Sequence, residues 1–346
     1  MQFTSSWRSP SNIALIKYWG KHGIQLPHNP SLSFTLSECH TNMHMQVMPN
    51  ASSPGLDLKY DGKDAPAFRP KMKAFFDRLA DHLPWLASSA VLIDSVNTFP
   101  HGAGIASSAS AMSAAALCLA DIDDQLNGRV TSLSNEWIKR VSRFARLGSG
   151  SACRSVFPIA SIWGKTANVE ESTDEHAISW SEQVSPLYHD YRDTILIVSS
   201  GEKSVSSSAG HELMNSLPYA QTRYAEAKNN IQSLIEIMRT EDRVEEFISI
   251  CESEALQLHA LMMSGKNPYV LIEPNTISII KEVWQYRKET NIPVCFTLDA
   301  GPNVHLLCPA SFIVPVQDWV NTTLVQYCAG GVYIPDRTGN GPVKLI

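Results

Sequence analysis

The sequence contains no apolar run that approaches the ~20 residues needed to cross a bilayer, so we expect no spanning helix and no membrane partner. The N-terminal stretch MQFTSSWRSPSN lacks the apolar core of a secretory signal. The seven cysteines form no CxxC pair and their number is odd, which is typical of reduced thiols rather than of a disulfide framework. Together these absences predict a cytoplasmic protein.

Common metal and nucleotide signatures are also missing. The eleven histidines are scattered, and no HExxH or Cys/His spacing predicts a zinc site. No GxxxxGK[ST] motif is present, which excludes a Walker-type phosphate loop. The formal net charge of −6 argues against a broad nucleic-acid-binding surface, so we expect no nucleic-acid partner. Any site for an anion must therefore be local.

The sequence has enough hydrophobic residues to form the core of a large fold. The chain has 346 residues, 44% of them hydrophobic, and this length favours two lobes. Mixed strand and helix patterns without regular β-α-β alternation predict an α+β fold. Pro186 and a polar stretch precede the apolar run TILIVS at 194–199, which places the boundary near 185–192. We therefore divide the chain into lobes at 1–188 and 189–346.

Local patterns predict the individual elements. Strands are predicted over 31–48 as two short runs, at 91–96, at 194–199, over 293–308 as a pair with a turn at AGPN, and near the C-terminus. Helices are predicted over 68–83, from the 100–111 loop to about Ala120, from a cap at Ser134 to near Gly148, and over about 208–239, 241–263 and 275–290.

Residues 148–155, GSGSACRS, combine small residues, hydroxyls and one guanidinium. The two glycines allow backbone conformations that other residues avoid. Ser149 and Ser151 are short donors that can approach an anion, and Arg154 offers a rigid fork that fits a carboxylate or phosphate. The segment predicts a site for a small anion, the alternative being an arginine in a structural salt bridge.

The loop PHGAGIASSASA at 100–111 joins a predicted strand to an Ala-rich helix. Gly102 and Gly104 permit close backbone approach, and the free amides at a helix start favour a phosphate. Ser107 and Ser108 add hydroxyl donors and contacts to Mg²⁺. The pattern predicts a phosphate loop, the alternative being a tight turn before a closely packed helix.

Two further segments carry charged groups of chemical interest. Lys17 and Lys21 are four apart in SNIALIKYWGKHG, where they either neutralise phosphate in a cleft or lie at a solvated edge. Asp299 ends an apolar strand before the Gly-Pro turn of TLDAGPN, which suits a general base, although an Asp that bonds its own turn is the alternative. Serines 206–208 either cap the following helix or reach an anion.

Together these segments resemble the mevalonate diphosphate decarboxylases of the GHMP kinase superfamily. The matching stretches, in the family's order, are NIALIKYWGK (12–21), LPHNPSLSFTL (26–36), PHGAGIASSAS (100–110), ARLGSGSACRS (145–155), VSSSAGHEL (205–213) and TLDAGPNVHLL (297–307). The resemblance implies a GHMP-kinase-like two-lobed fold, with an N-terminal lobe like ribosomal S5 domain 2 and a ferredoxin-like C-terminal lobe. It implies ATP-dependent decarboxylation of mevalonate 5-diphosphate to isopentenyl diphosphate, CO₂, ADP and phosphate, with Mg²⁺, in a homodimer.

The resemblance also implies a role for each matching residue. Asp299 would be the general base or orienting carboxylate at the C3 hydroxyl, with Lys17 beside it, and Arg154 would hold the C1 carboxylate. The residues implied for the substrate's diphosphate are Tyr18, Lys21, Ser149 and Ser151, and Ser207 is implied as a substrate-binding residue near the nucleotide and phosphates. Those implied for ATP and its phosphates are Asn97, Gly102, Gly104, Ser107 and Ser108, with Ser107 also near Mg²⁺.

The sequence departs from the family pattern at two places. His101-Gly102 stands where members commonly have Thr-Ala, and Phe157-Pro158-Ile159 stands where many have Gly-Gly. The set Lys17, Arg154 and Asp299 is intact, so we expect activity. The alternatives are a decarboxylase of mevalonate 5-phosphate, a kinase that phosphorylates mevalonate at C3 without decarboxylation, and a catalytically inactive binding homologue.

Overall fold

Two long strands organise the first sheet. The structure is a computed structural model that describes residues 1–100, 105–201 and 207–346. Strand β1 (Phe3–Ile16), for which we predicted no strand, pairs antiparallel with β4 (Ser31–Met48). β4 is one strand and not the two runs predicted, but its pairing with β1 is interrupted between Thr35 and His40. The two-run pattern therefore reflects an irregularity within a continuous strand.

Shorter strands flank this pair. They are β5 (Gly55–Tyr60), β6 (Lys63–Asp64), β7 (Ala90–Asn97), β8 (Ala160–Trp163), β9 (Ala177–Ser179) and β14 (Val343–Lys344), and a separate hairpin contains β2 (Lys21–His22) and β3 (Leu26–Pro27). The sheet order is β14-β1-β4-β7-β5-β6, with β8 also paired to β4 and β9 to β8. The C-terminal strand therefore returns to the sheet of the N-terminal half.

Three helices pack with this sheet: α1 (Arg69–Arg78), α2 (Ser107–Leu126) and α3 (Asn135–Gly148). Most of α2 is buried, and its many alanines let it lie closely against β1 and β4. The predicted cap of α3 is confirmed, because the Ser134 side chain accepts a hydrogen bond from the Trp137 N–H at 3.3 Å. The predicted helix ends were inaccurate: α1 ends before residue 83 and α2 continues past Ala120.

The second sheet contains β10 (Tyr191–Leu196), β11 (Cys295–Thr297), β12 (Val304–Pro309) and β13 (Tyr333–Arg337). Its order is β11-β12-β10-β13 and all its pairs are antiparallel. The predicted strand pair around the AGPN turn is confirmed, since β11 pairs with β12. An isolated bridge between Leu36 and Thr338 links this part of the chain to β4.

Five helices accompany the second sheet: α4 (Ser207–Leu213), α5 (Ala220–Ile237), α6 (Val244–Ser264), α7 (Pro274–Thr290) and α8 (Ile313–Thr322). The single helix predicted over 208–239 is wrong, because α4 and α5 are separate. Pro218 lies between them, and a proline disfavours the helical conformation in the residue before it.

The two lobes meet along a shared apolar core. Ile13 and Leu15 of β1 are buried in one cluster with Ile231 of α5 and Phe247 of α6. Asp336 of β13 adds a polar connection, because its carboxylate accepts the backbone N–H groups of residues 37, 38 and 39, each at 2.8 Å. The predicted α+β class is confirmed, while the division at residue 188 stays a prediction.

Two expectations about the chain as a whole can be compared with the described residues. Within the described ranges, no helix has both the length and the apolar character needed to cross a membrane. All seven cysteines are buried and carry free thiols.

Candidate active site

A buried lysine and a partly exposed aspartate meet where the two lobes face each other. Lys17 directly follows β1, and Asp299 lies two residues after β11. The Lys17 Nζ lies 3.1 Å from the Asp299 Oδ1, with side-chain exposures of 2% and 24%. One partner is thus fixed in the interior while the other reaches solvent, so the pair can be approached by a ligand from one side.

Burial and the neighbouring carboxylate act on Lys17 in opposite directions. Loss of water around the ammonium lowers its pKa, and Asp299 opposes this through its charge and its hydrogen bond. The ammonium is a donor held against a carboxylate in a place with little solvent. Such a pair can hold or move a proton and can stabilise negative charge on a nearby oxygen.

Arg154 ends a short 3₁₀ segment, Gly150–Arg154, that follows α3. Its guanidinium donates to the Asn12 Oδ1 from Nη2 at 3.2 Å and to the Ser31 Oγ, and it lies 5.9 Å from the centre of the Trp163 ring. Within the part of the chain that the structure describes, it forms no ion pair with a carboxylate. Burial lowers its pKa, against the opposing charge of groups that include Asp299.

A buried guanidinium that bonds only neutral groups is costly unless an anion joins it. The structural alternative for Arg154, a salt-bridged arginine, is therefore not what the described residues form. Asn12 was missed by sequence reasoning as a site residue, although it lies in the NIALIKYWGK stretch. It also donates to the Ser151 carbonyl at 3.1 Å, so it joins β1 to the GSGSACRS segment.

Gly150 of this segment allows Tyr18 to pack closely. A Cβ atom on Gly150 would lie 2.8 Å from both the Tyr18 hydroxyl and the Trp163 ring, so only glycine fits there. The Tyr18 hydroxyl is buried and has no hydrogen-bond partner among the described residues, and burial raises its pKa well above the usual range. Ser149 and Ser151 are half-buried beside it. This cluster offers donors for an anionic ligand.

A group of cations lies near this cluster. Lys21 of β2 donates to the Gln25 Oε1 at 3.0 Å, and its pKa is lowered by burial and then by the charge of Arg78. Desolvation also lowers the pKa of Lys71, although that residue remains exposed, and Lys21 and Arg78 lower it further. Three cations within electrostatic range of one another favour a ligand with several negative charges.

Sequence reasoning missed two of these three cations, Lys71 and Arg78. Both belong to α1, and they are seven residues apart, which places them on the same face two helical turns from each other. That spacing was the available signal. The spacing does not tell which side of α1 faces the cleft. It therefore did not distinguish Lys71 and Arg78 from other surface lysines and arginines.

A cavity lies beside the start of α2. Its polar lining includes Lys71, Ser95, Asn97, Ser107 and Ser108, and its apolar walls include Met43, Leu58, Tyr60, Phe68, Met72, Ile93 and Met112. The Lys71 Nζ donates to the Ser108 Oγ at 2.7 Å, which links the cation group to the helix start. An apolar cavity with aromatic walls that opens onto a helix N-terminus suits a flat base attached to phosphates.

The structure thus brings most of the predicted residues together. Asn97, Ser107 and Ser108 share one cavity, and Tyr18, Ser149 and Ser151 lie with Arg154 beside the Lys17–Asp299 pair. Gly102, Gly104 and the side chain of Ser207 lie outside the described residues.

The described residues contain no group of three or more His, Cys, Asp or Glu side chains that could hold a metal ion. A Mg²⁺ ion at this site would depend on phosphate oxygens for its ligands, with the Ser107 hydroxyl as the predicted contribution from the chain. Phosphate and hydroxyl oxygens are the ligands that Mg²⁺ prefers, so the residues present fit a magnesium ion that arrives with a nucleotide.

The fold and the cleft define a GHMP-kinase-like protein, with two α+β lobes and, at the start of α2 in the first lobe, a cavity that suits a phosphorylated nucleotide. Two family models match the chain: the diphosphomevalonate decarboxylase-like N-terminal domain over residues 9–174, and the mevalonate 5-diphosphate decarboxylase C-terminal domain over residues 194–332. The chain therefore belongs to the diphosphomevalonate decarboxylase family.

Individual relatives agree with this assignment. A diphosphomevalonate decarboxylase of Ganoderma lucidum is 30% identical over 335 residues, which cover 90% of this chain and 80% of that protein. The crystal structure of the Staphylococcus aureus mevalonate diphosphate decarboxylase matches the fold with a TM-score of 0.85 at 24% identity, covering 100% of this chain and 99% of that one. A structure of MDDEF in complex with MVAPP, AMPPCP and magnesium has a TM-score of 0.83 at 27% identity, with coverage of 100% and 99%.

Proposed function

We propose that this protein is an ATP-dependent decarboxylase that converts mevalonate 5-diphosphate into isopentenyl diphosphate, CO₂, ADP and phosphate. The observation that carries the proposal is the Lys17–Asp299 pair at 3.1 Å beside the buried Arg154, whose guanidinium has no carboxylate partner among the described residues. The relative that bound MVAPP together with AMPPCP and magnesium supports the same substrates.

The substrate has a carboxylate at one end and a diphosphate at the other, and the site offers a different kind of donor for each. Arg154 binds the C1 carboxylate, because its fork matches that group and its charge is not used within the protein. The diphosphate is bound by Tyr18, Lys21, Ser149 and Ser151, with Ser207 as a further substrate-binding residue near the phosphates, and to these we add the cations Lys71 and Arg78. The charge of these cations favours a diphosphate.

Asp299 and Lys17 act at the C3 hydroxyl between these two ends. Asp299 accepts or orients the hydroxyl proton while the oxygen attacks the γ-phosphorus of ATP, and Lys17 stabilises the negative charge that develops on that oxygen. The bond between the γ-phosphorus and the oxygen of the β-phosphate breaks, and ADP leaves with its electron pair. The C3–O bond of the phosphorylated intermediate then breaks and phosphate leaves with the electron pair. Electrons of the C1–C2 bond form the C2=C3 double bond, and C1 leaves as CO₂.

The nucleotide is bound at the cavity beside α2. Its base occupies the apolar walls, and its phosphates lie at Asn97, Gly102, Gly104, Ser107 and Ser108. Mg²⁺, when bound with ATP, neutralises phosphate charge during transfer. Lys71 lies between the two ligand sites, since it donates to Ser108 at 2.7 Å and is within electrostatic range of Lys21.

The proposed function is tested by measuring ADP and CO₂ release from the purified protein with mevalonate 5-diphosphate, mevalonate 5-phosphate or mevalonate. We expect equal amounts of ADP and CO₂ with the diphosphate and little turnover with the other two. Turnover confined to the monophosphate would identify the alternative decarboxylase. ADP release from mevalonate without CO₂ would identify a 3-kinase, and no ADP with any of them would indicate an inactive homologue.

The role of Asp299 is tested by replacing its carboxylate. We expect Asp299→Ala to lower turnover by orders of magnitude, because the C3 hydroxyl loses the group that accepts or orients its proton. ATP binding measured by calorimetry should survive, since Asp299 is not among the residues of the nucleotide cavity. Near-normal turnover of this variant would refute the assignment.

Two properties of the whole molecule belong to the same proposal. We place the enzyme in the cytoplasm, and the seven free, buried thiols support this because reduced cysteines are typical there. We further propose a homodimer, as the family resemblance implies. Sedimentation of the purified protein distinguishes a dimer from a monomer.

A further inference from the structure

Helix α6 (Val244–Ser264) contacts the backbone of both members of the Lys17–Asp299 pair. The Glu254 Oε2 accepts the Lys17 backbone N–H at 2.8 Å. The His259 Nε2 lies 3.1 Å from the Asp299 carbonyl oxygen. One helix therefore holds two residues that come from different lobes and lie in no common strand pair.

The contact to Lys17 is made by a completely buried carboxylate. Glu254 is 0% exposed and also accepts from the Arg223 Nη1 at 2.9 Å and the Asn230 Nδ2 at 2.7 Å. The Arg223 Nη2 in turn lies 3.5 Å from the Lys17 carbonyl, to which the Asn29 amide donates at 3.0 Å. The Glu254–Arg223 pair thus holds both polar groups of the Lys17 backbone, and charge-assisted bonds away from water are strong and directional.

The contact to Asp299 comes from a buried histidine. A carbonyl oxygen only accepts hydrogen bonds, so the Nε2 of His259 must carry a proton in this contact. The Gly301 N–H donates to the same carbonyl at 2.8 Å. The backbone of Asp299 is therefore fixed by a helix side chain and by its own turn, beyond the end of β11.

Glu254 and His259 are five residues apart, which separates them by about 7.5 Å along a rigid helix. Glu254 and His259 each bond the backbone of one member of the Lys17–Asp299 pair. The helix therefore fixes the backbone positions from which the side chains of that pair extend. We propose that Glu254 and His259 are positioning residues that set the separation of Lys17 and Asp299 in the reactive geometry. The catalytic consequence rests on the proposed function, whereas the geometric one does not.

The competing explanation is that these contacts stabilise the fold and nothing more. A stabilising role predicts that variants lose folded protein without a specific change in the turnover of what remains. A positioning role predicts lower kcat with little change in KM, because the chemical step depends on the pair while binding depends on other residues. It also predicts rescue by a side chain that restores the hydrogen bond.

The experiment compares four variants of the full chain. His259→Leu removes the donor, and His259→Gln retains a terminal N–H donor. In Glu254→Gln one of the two carboxylate oxygens is replaced by an NH₂ group. The donors that bond both oxygens of Glu254 in the wild type then have a single acceptor oxygen. Glu252→Gln is the matched control, because Glu252 is a buried carboxylate on the same helix that pairs with Arg287 at 2.7 Å and accepts from Trp284 at 2.8 Å, both on α7.

We expect His259→Leu and Glu254→Gln to lower kcat by about 100-fold with KM within about threefold of wild type, the scale of a misplacement near 1 Å. His259→Gln should recover most of the loss, and Glu252→Gln should keep wild-type kcat. Thermal melting identifies the folded fraction of each variant. If Glu254→Gln does not fold, the two His259 variants and the control still decide the question.

Crystal structures of the variants give a readout that needs no substrate. We expect the Lys17 Nζ to Asp299 Oδ1 separation to lengthen beyond hydrogen-bond distance in His259→Leu and to return to about 3.1 Å in His259→Gln. If this separation lengthens in His259→Leu but the wild-type protein releases no CO₂, the proposed function is contradicted and the positioning proposal is supported. An unchanged separation or an unchanged kcat in His259→Leu, and in Glu254→Gln where that variant folds, overturns the positioning proposal even where the enzyme is active.

Discussion

Two buried arginines lie close to the Lys17–Asp299 pair, and their surroundings differ. Arg223, 3% exposed, forms an ion pair with the fully buried Glu254. Arg154, 2% exposed, bonds the amide oxygen of Asn12 and the hydroxyl of Ser31. No carboxylate forms an ion pair with Arg154 within the described ranges. The charge of the Arg223 guanidinium is balanced by a carboxylate of the protein, whereas that of Arg154 is not.

The difference separates a structural arginine from a binding arginine. Burying a charge is unfavourable, and a carboxylate partner offsets that cost for Arg223. For Arg154 the fold supplies orientation through neutral groups and an aromatic ring, and it leaves the charge for an anion. The two residues look alike in sequence, so the distinction depends on which acidic groups the fold brings near each of them.

The largest effect is expected when Arg154 is replaced by methionine. We expect Arg154→Met to lower kcat/KM for mevalonate 5-diphosphate by about 10³-fold, because the substrate carboxylate loses its charged partner. The free energy of unfolding should change by about 1 kcal/mol or less, since the lost desolvation cost offsets the lost hydrogen bonds. Steady-state kinetics and urea unfolding measure the two quantities. A severe loss of stability with unchanged kcat/KM would show that Arg154 is the structural arginine.

Replacing Arg223 by methionine tests the other half of the comparison. We expect Arg223→Met to lower the free energy of unfolding by about 3 kcal/mol, because it leaves the Glu254 carboxylate buried without its counter-charge. This loss is at the low end of what breaking a buried ion pair costs, because the Lys17 N–H and Asn230 still donate to Glu254. The double variant Arg223→Met/Glu254→Leu removes the stranded charge and should recover part of the loss. A double variant less stable than the single one would contradict this account.

His211 extends the comparison to a buried base that gives up its charge. Its Nδ1 accepts the Gly20 N–H at 2.9 Å, and burial, followed by the charge of Lys21, lowers its pKa from 6.5 to about 3. The unfolded chain therefore binds a proton that the folded protein does not between these values. The contribution of His211 to the free energy of unfolding is fully present above pH 6.5 and decreases as the pH falls towards 3. We expect a contribution of about 2 kcal/mol to be lost between pH 7 and pH 5.

The measurement compares urea unfolding of the wild type and His211→Asn at these two pH values. Asparagine retains an acceptor near the position of Nδ1 but does not titrate, so the variant should lack this part of the acid sensitivity. The same drop in both proteins would mean that other groups are responsible. Because the comparison is a difference between two proteins, the carboxylates that titrate in both cancel from it.

Local features of the fold could be predicted from the sequence, and long-range ones could not. The Ser134 cap and the strand pair around AGPN depend on side chains within a few positions of each other. Lys17 and Asp299, in contrast, are 282 positions apart, and no local pattern pairs them. Their joint assignment came from the family resemblance. The spacing of residues alone left a solvated lysine and a turn-bonded aspartate as open alternatives.

The same limit explains the residues that were missed. Asn12, Glu254 and His259 act through contacts to segments far away in the chain, so nothing adjacent to them indicates a role. Lys71 and Arg78 looked like ordinary surface cations on a short helix. Only the packing of α1 (Arg69–Arg78) brings them to within electrostatic range of Lys21.

Lys71 gives the smallest expected effect and completes the comparison, because it is an exposed cation without the rigid setting of either arginine. We expect Lys71→Met to weaken ATP binding by about tenfold, or about 1.4 kcal/mol, since its contact to Ser108 places the ammonium at the phosphate end of the nucleotide cavity. Lys73→Met is the matched control, an exposed lysine two positions further along the same helix and therefore on a different face. Calorimetric titration at low and high salt measures both variants, and the effect of Lys71→Met should shrink as salt rises because exposed charges are screened. Equal losses in the two variants would mean that only net charge matters, and a loss of about 10³-fold in Lys71→Met alone would place this exposed lysine in the same class as Arg154.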